Sequence, residues 1–251
     1  MTSGVDIVQI TDLHIHSNPE KRVHGRDSLA TLQQVVDAIR RDETTPAIVL
    51  ATGDLTDNAK PVAYDRLRPI LSALDLPVYI IPGNHDLVPA MEDGLVGGAI
   101  HYVPTKEVGA WTLVFVDTTI PHKTEGHLDD QRLDALDRVI GEAGTPHVMV
   151  VMHHQPVPIG SPLDVCGLMN ADALYDVLDR HEAVKGLLWG HIHHIHDSMR
   201  NGVRRLGTPA TCAQFLNKMG VDATFTDEPP AYRRLRLNDD GTIDTDVVWV
   251  A

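Results

Sequence analysis

The chain has 251 residues, 43% of them hydrophobic, and a formal net charge of −14; that is enough apolar material for a sizeable core. The acidic balance argues against an extended nucleic-acid footprint and against docking on an anionic membrane, since both need clustered Lys and Arg. No apolar run approaches the roughly 20 residues that span a bilayer, and Met1 to Asp6 lacks the basic and apolar regions of a signal peptide, so a soluble cytoplasmic protein is expected.

Val5 to Ile10 reads as a strand. Ser28 reads as the cap of a helix to about Arg41, with Leu29, Leu32, Val35, Val36 and Ile39 on one face. A strand follows at Ala47 to Ala51, then a helix at Pro61 to Leu74 whose proline suits the first turn, then a strand at Pro77 to Ile81. Trp111 to Val116 alternates as a strand does. Leu128 to Ala143 is an amphipathic helix, with Asp129 and Asp130 favouring its N-terminus. His147 to Met152 is a strand, Ala171 to His181 a helix and Gly186 to Trp189 a short apolar strand. From His194 the texture changes to β-like runs (Arg204 to Leu206, Tyr232 to Leu237, Thr242 to Val250) parted by Asn-Gly and Asp-Gly turns. Irregular connections are expected at Ser17 to Asp27, Leu87 to Gly98, Pro156 to Gly167 and Asn217 to Pro230. Strand–helix alternation followed by hairpins predicts an α/β (α+β) sandwich of two mixed sheets flanked by helices. One domain over 1–251 is expected, with 194–251 as its hairpin-rich C-terminal part.

Cys166 and Cys212 are the only cysteines, which suits reduced thiols better than a disulfide framework. The unusual residue is histidine, with 15 copies. Five motifs stand just past predicted strands, the edge where open α/β sheets bind ligands: Thr11-Asp12-Leu13-His14, Gly53-Asp54, Gly83-Asn84-His85-Asp86, His153-His154 and Gly190-His191-Ile192-His193. Any one alone would read as a turn or a helix cap; the ordered series is hard to obtain from turn chemistry. Two divalent ions sharing one carboxylate need about four protein donors each, and Asp12, His14, Asp54, Asn84, His153, His191 and His193 supply that set.

This series resembles the calcineurin-like metallophosphoesterases, and the resemblance covers nearly the whole chain. Within them it looks most like bacterial class III 3′,5′-cyclic-AMP phosphodiesterases, through Ile10 to His14, Pro82 to Asp86 and Gly207-Thr208-Pro209-Ala210-Thr211-Cys212-Ala213-Gln214-Phe215. Glycerophosphodiesterases are similar around His153-His154-Gln155-Pro156-Val157-Pro158. The resemblance implies a four-layer αββα sandwich. It implies a first metal on Asp12, His14, Asp54 and His193, a second on Asp54, Asn84, His153 and His191, and His85 as a substrate-facing acid. The ions expected are iron or manganese, or else zinc, since all accept this donor set.

The chemistry expected is attack on a phosphodiester by a hydroxide bridging two ions roughly 3.5–4 Å apart, with His85 protonating the leaving oxygen. Two divalent ions, two aspartates and one hydroxide leave about one positive charge, matching a diester better than a monoester of about −1.5 to −2. Phosphoprotein phosphatases of this superfamily carry arginines just after the second and third motifs; Asn58 and Leu87-Val88 stand there. Purple acid phosphatases carry a tyrosine where Asp57 stands. The expected substrate is a small-molecule diester, 3′,5′-cyclic AMP first, with glycerophosphodiesters or 2′,3′-cyclic nucleotides as the alternative and a non-catalytic metal-binding scaffold or a nuclease behind them. Asn84, His85 and His154 are the expected substrate contacts. Asp86 either orients His85 or caps the following turn. His16, His194 and His196 read as solvated neighbours, the last two alternating on one face of a strand, and His24 and Arg26 as a surface loop within reach of a base or ribose. Phe215 and Tyr232 read as core rings that could stack on a base. The C-terminal hairpins could cover the site or pair protomers in a homodimer.

Overall fold

Apolar runs buried on both faces form the centre of each sheet in the computed structural model, which describes residues 3–216, 218 and 224–250. In the first sheet β1 (Gly4–Ile10), β2 (Ile48–Thr52), β3 (Val78–Ile81) and β4 (Ile100–His101) run parallel. On the far side of β1 lie β11 (Ala231–Asn238) and β12 (Ile243–Trp249), each antiparallel to its neighbour. The order is β12-β11-β1-β2-β3-β4. The second sheet joins β5 (Thr105–Val108), β6 (Trp111–Phe115), β7 (His147–Val151), β8 (Val184–Trp189), β9 (His196–Arg200) and β10 (Val203–Gly207) in the order β5-β6-β7-β8-β10-β9. Its inner four strands are parallel and its edges antiparallel.

Strand periodicity sorts the side chains into layers. In β1, Ile7 packs between the sheets while Val8 and Ile10 face outward; in β7, Met149 and Val151 face inward and Val148 and Val150 outward. Such runs lack polar alternation because both faces are covered. The helices α1 (Ser28–Arg41), α2 (Pro61–Ser72) and α3 (Val88–Leu95) pack outside the first sheet. Helices α4 (Asp130–Gly141) and α5 (Ala171–Leu178) pack outside the second. The result is the four-layer αββα sandwich.

Several expectations need correction. Leu87 to Gly98 is not irregular: it contains α3. The proline and glycine that suggested a loop are both accommodated, Pro89 in the first turn and Gly94 where an added Cβ would lie 2.5 Å from the Tyr64 Cβ. Pro156 to Gly167 contains a short 3-10 helix, Pro162–Cys166. Strands β4 and β5 were not expected, being short, whereas β9 begins at His196, in the run around His194 and His196 that reads as a solvated strand face. The cap of α1 is Asp27, whose carboxylate accepts from the Ala30 N–H at 3.2 Å, rather than Ser28. Asp129 caps α4 in the same way, accepting from the Arg132 N–H at 2.8 Å. Of the expected connection 217–230, residues 217 and 219–223 lie outside the described residues.

A buried polar bridge ties the two sheets directly beneath the strand ends. Gln9 donates to the Thr52 hydroxyl at 2.8 Å and to the Trp189 carbonyl at 3.1 Å, and accepts from Thr208. Arg233 donates to Thr208 at 2.8 Å and to the Gly207 carbonyl at 2.8 Å. Burial pushes Arg233 down to about 10. These groups fix how the two sets of strand ends face one another.

Candidate metal centre

The five motifs meet where the parallel strands end. The Asp12 N–H donates to the Gly53 carbonyl at 3.1 Å and the His14 N–H to the Asp54 carbonyl at 2.9 Å, locking the loops after β1 and β2 together. Across the sandwich, the His191 N–H donates to the Asp12 carboxylate at 3.0–3.1 Å, and within the second sheet the Gly190 N–H donates to the His153 carbonyl at 3.2 Å. Side chains then converge. His193 Nε2 is 3.3 Å from Asp12, His14 Nε2 is 3.5 Å from Asp54, and His153 Nε2 is 3.4 Å from Asp54 and 3.1 Å from Asn84 Oδ1. The Nε2 atoms of His14 and His193 stand 3.2 Å apart. The His191 ring lies 5.1 Å from His153.

The backbone is strained to achieve this. Asp12, His14, Asp54, His191 and His193 all have positive φ, between 46° and 67°, a region that costs a non-glycine residue on the order of 1–3 kcal/mol. Glycines admit the crowding: a Cβ on Gly83 would lie 2.1 Å from the Asp54 nitrogen, and one on Gly190 2.0 Å from Thr11 Oγ1. Such strain concentrates where function demands it.

Backbone carbonyls orient the rings. His153 Nδ1 donates to Thr52 at 2.9 Å, His193 Nδ1 to Ala213 at 2.5 Å and His85 Nδ1 to Asp57 at 2.9 Å. Each bond turns the Nε2 edge of its ring inward, as in metal-binding histidines. Ala213 lies in the stretch Gly207 to Phe215, remote from the ligand motifs in sequence but packed against them here. Asp86 does not touch His85. It accepts from the N–H groups of Leu55, Thr56 and Gly83 at 2.9–3.0 Å and from the hydroxyls of Tyr64 and Thr56 at 3.0 and 3.2 Å. It therefore pins the second motif to the third. His154, expected at the substrate, has both ring nitrogens engaged, with Thr118 at 2.7 Å and the Thr124 carbonyl at 3.2 Å. His16 is held by Asn58, and His196 by Ser198. Tyr232 is a core ring.

The electrostatics favour added positive charge. Asp12 and Asp54 are buried, and among the described residues neither pairs with Lys or Arg. Burial pushes both carboxyls upward, but imidazoles outweigh it: His193 holds Asp12 below the usual range, and His153 holds Asp54 well below it. Burial likewise depresses His153, yet Asp54 lifts it to about 9. His85 is raised despite burial, by Asp54 and the Asp57 carbonyl. Burial, followed by the His153 charge, drives His191 down to about 3. Its Nε2 is buried with no hydrogen-bond partner among the described residues. Buried carboxylates with no Lys or Arg partner among the described residues, beside an imidazole nitrogen without a hydrogen bond, fit a cation.

The family model described as calcineurin-like phosphoesterase matches residues 5–195. The chain belongs to the calcineurin-like phosphoesterases. Membership implies a dinuclear metal site, which the His and Asp clusters fit. Among similar sequences is the 3′,5′-cyclic adenosine monophosphate phosphodiesterase CpdA of Pseudomonas aeruginosa, 37% identical over 98% of this chain and 90% of that one. The Escherichia coli (strain K12) CpdA is 34% identical over 97% and 89%, and a 3′,5′-cyclic-nucleotide phosphodiesterase of Nostoc is 31% identical over 97% and 91%. Among solved structures, a dimetal phosphatase from Danio rerio has a TM-score of 0.66 at 14% identity, covering 98% of this chain and 99% of its own. GAP50, the anchor in the inner membrane complex of Plasmodium, has 0.68 at 15% identity, covering 98% and 85%. Among the described residues of this phosphoesterase no helix is long and apolar enough to cross a membrane.

Proposed function

We propose that this phosphoesterase hydrolyses 3′,5′-cyclic nucleotides, cyclic AMP foremost, at a pair of divalent ions, iron or manganese with zinc as the alternative. The observation that carries this reading is the end-to-end similarity to a cyclic AMP phosphodiesterase at 37% identity. Asp12, His14, Asp54 and His193 would hold the first ion, and Asp54, Asn84, His153 and His191 the second. When bound, the ions supply an acidified water and offset charge on the phosphoryl oxygens. The rest falls to the chain. His85 keeps its Nδ1 on the Asp57 carbonyl, so its Nε2 edge is the one free to carry a proton to the leaving oxygen. Asn58 gives its amide to His16 and Ser17, so the second motif brings no cation to the phosphoryl group, as suits a diester. His154 positions the adjoining rings of His153 and His191 and is left out of the substrate contacts.

The whole of 1–251 is read as one domain, supported by β11 completing the first sheet beside β1 and β10 completing the second beside β8. A cytoplasmic location is supported by the unpaired thiols of Cys166 and Cys212. The test is a turnover panel on purified protein with metal content measured in parallel. Cyclic nucleotides should be turned over well ahead of glycerophosphodiesters, and both ahead of monoesters. A monoester turned over fastest would overturn the diester reading.

A further inference from the structure

A tight turn and a bridged pair of aromatic residues meet at the mouth of the centre. Val23 and Arg26 exchange backbone hydrogen bonds of 2.9 Å around His24 and Gly25, whose φ values of 50° and 78° suit a two-residue turn of the I′ type. Opposite, Phe215 and Phe225 pair across an antiparallel bridge, flanked by the Leu216 N–H on the Thr224 carbonyl at 2.7 Å. The His24 ring stacks on Phe225 at 4.0 Å and 25°. Phe215 leans on Phe225 and on His193, at 4.6 Å each. Arg26 ties its turn to the chain just past Phe225 by donating to the Glu228 carbonyl at 3.2 Å. The chain has only 3 phenylalanines, and two of them stand here half-buried, Phe225 against the small buried cluster of Ala210, Cys212 and Ala213.

The side on which the cluster stands gives it a use. The His14 ring lies 4.8 Å from His85 and 5.4 Å from His24. Hydrolysis of a 3′,5′-cyclic phosphate breaks the bond from phosphorus to O3′, water supplies the new P–O bond, and O3′ leaves with a proton from the acid. The nucleoside is attached through that oxygen, so it extends from phosphorus past the acid, toward the neighbouring rings. We infer that His24 and Phe225 form a stacking platform for the nucleobase, with Phe215 bracing it against His193; this rests on the cyclic-nucleotide reading above. Stacking reads the π face that every base shares, so the platform binds adenine and guanine alike.

The test uses metal-loaded enzyme with Phe225→Ala; His24 is left intact because its ring lies 5.4 Å from that of His14. Phe215 is left intact because it touches His193. KM for cyclic AMP and for cyclic GMP should rise about 5- to 150-fold with kcat little changed. Methyl p-nitrophenyl phosphate, which has no base, should show a much smaller loss. Phe225→Trp keeps a ring and should restore KM. An unchanged KM for both cyclic nucleotides, or equal losses on all three substrates, overturns the platform. Wild-type enzyme that turns over the nitrophenyl diester and neither cyclic nucleotide overturns the underlying reading, and the platform with it.

Discussion

At the scale of single residues, the proposed ligands divide the chemistry with His85. Among the described residues Asp54 is the one carboxylate within 4 Å of both His14 Nε2 (3.5 Å) and His153 Nε2 (3.4 Å), so Asp54→Ala should bind neither ion tightly and lose turnover. Two ions per chain still found in Asp54→Ala by elemental analysis would contradict its bridging role. His85→Ala should keep both ions and lose about 10²–10⁴ in rate on cyclic AMP. The loss on a bis-nitrophenyl diester should be far smaller, because nitrophenolate leaves without a proton. Equal losses on the two would assign His85 to the phosphoryl group, and a lost ion would make it a ligand. That the proposed ligand side chains would gather at one edge was legible in the sequence because each follows a β-type run. The carbonyls of Thr52, Asp57 and Ala213 were not, since any residue presents a carbonyl and only the fold aims it. The role of Asp86 was hidden for a related reason: its partners are the backbone amides of a loop some thirty residues away.

At the scale of elements, Asp86 joins the loop after β2 to the loop after β3 and to Tyr64 of α2. Its removal leaves buried N–H groups without acceptors, so Asp86→Ala should cost on the order of 3 kcal/mol. Tyr64→Phe removes one of the five bonds and should cost about 1 kcal/mol. Chemical denaturation of both variants checks this, and an Asp86→Ala protein as stable as wild type would contradict it. The parallel strands and amphipathic helices were legible because period-two and helical patterns are strong where one or both faces are buried. Helix α3 was obscured by Pro89 and Gly94, which signal a loop until Tyr64 is seen occupying the space a side chain would need. Strand β5 was obscured because Thr105 to Val108 has little apolar character, and pairing with β6 makes it a strand.

At the scale of the molecule, the proposed ions draw donors from both sheets. Asp12, His14, Asp54 and Asn84 follow strands of the first, while His153, His191 and His193 follow strands of the second. The ions should therefore fasten the sandwich at its functional edge, beside the bridge through Gln9, Thr208 and Arg233. Ions at a hundred times their Kd should stabilise folding by about 2.7 kcal/mol per site. Chelation should lower Tm accordingly, and a Tm indifferent to chelator and to added ion would contradict binding between the sheets. The measurement that tests the central claim most directly is an internal competition. Metal-replete enzyme is given 3′,5′-cyclic AMP and a glycerophosphodiester in one vessel, and the ratio of their kcat/KM values is read from product formation. Cyclic AMP should be consumed first, yielding 5′-AMP. Consumption of the glycerophosphodiester while cyclic AMP persists would contradict the account.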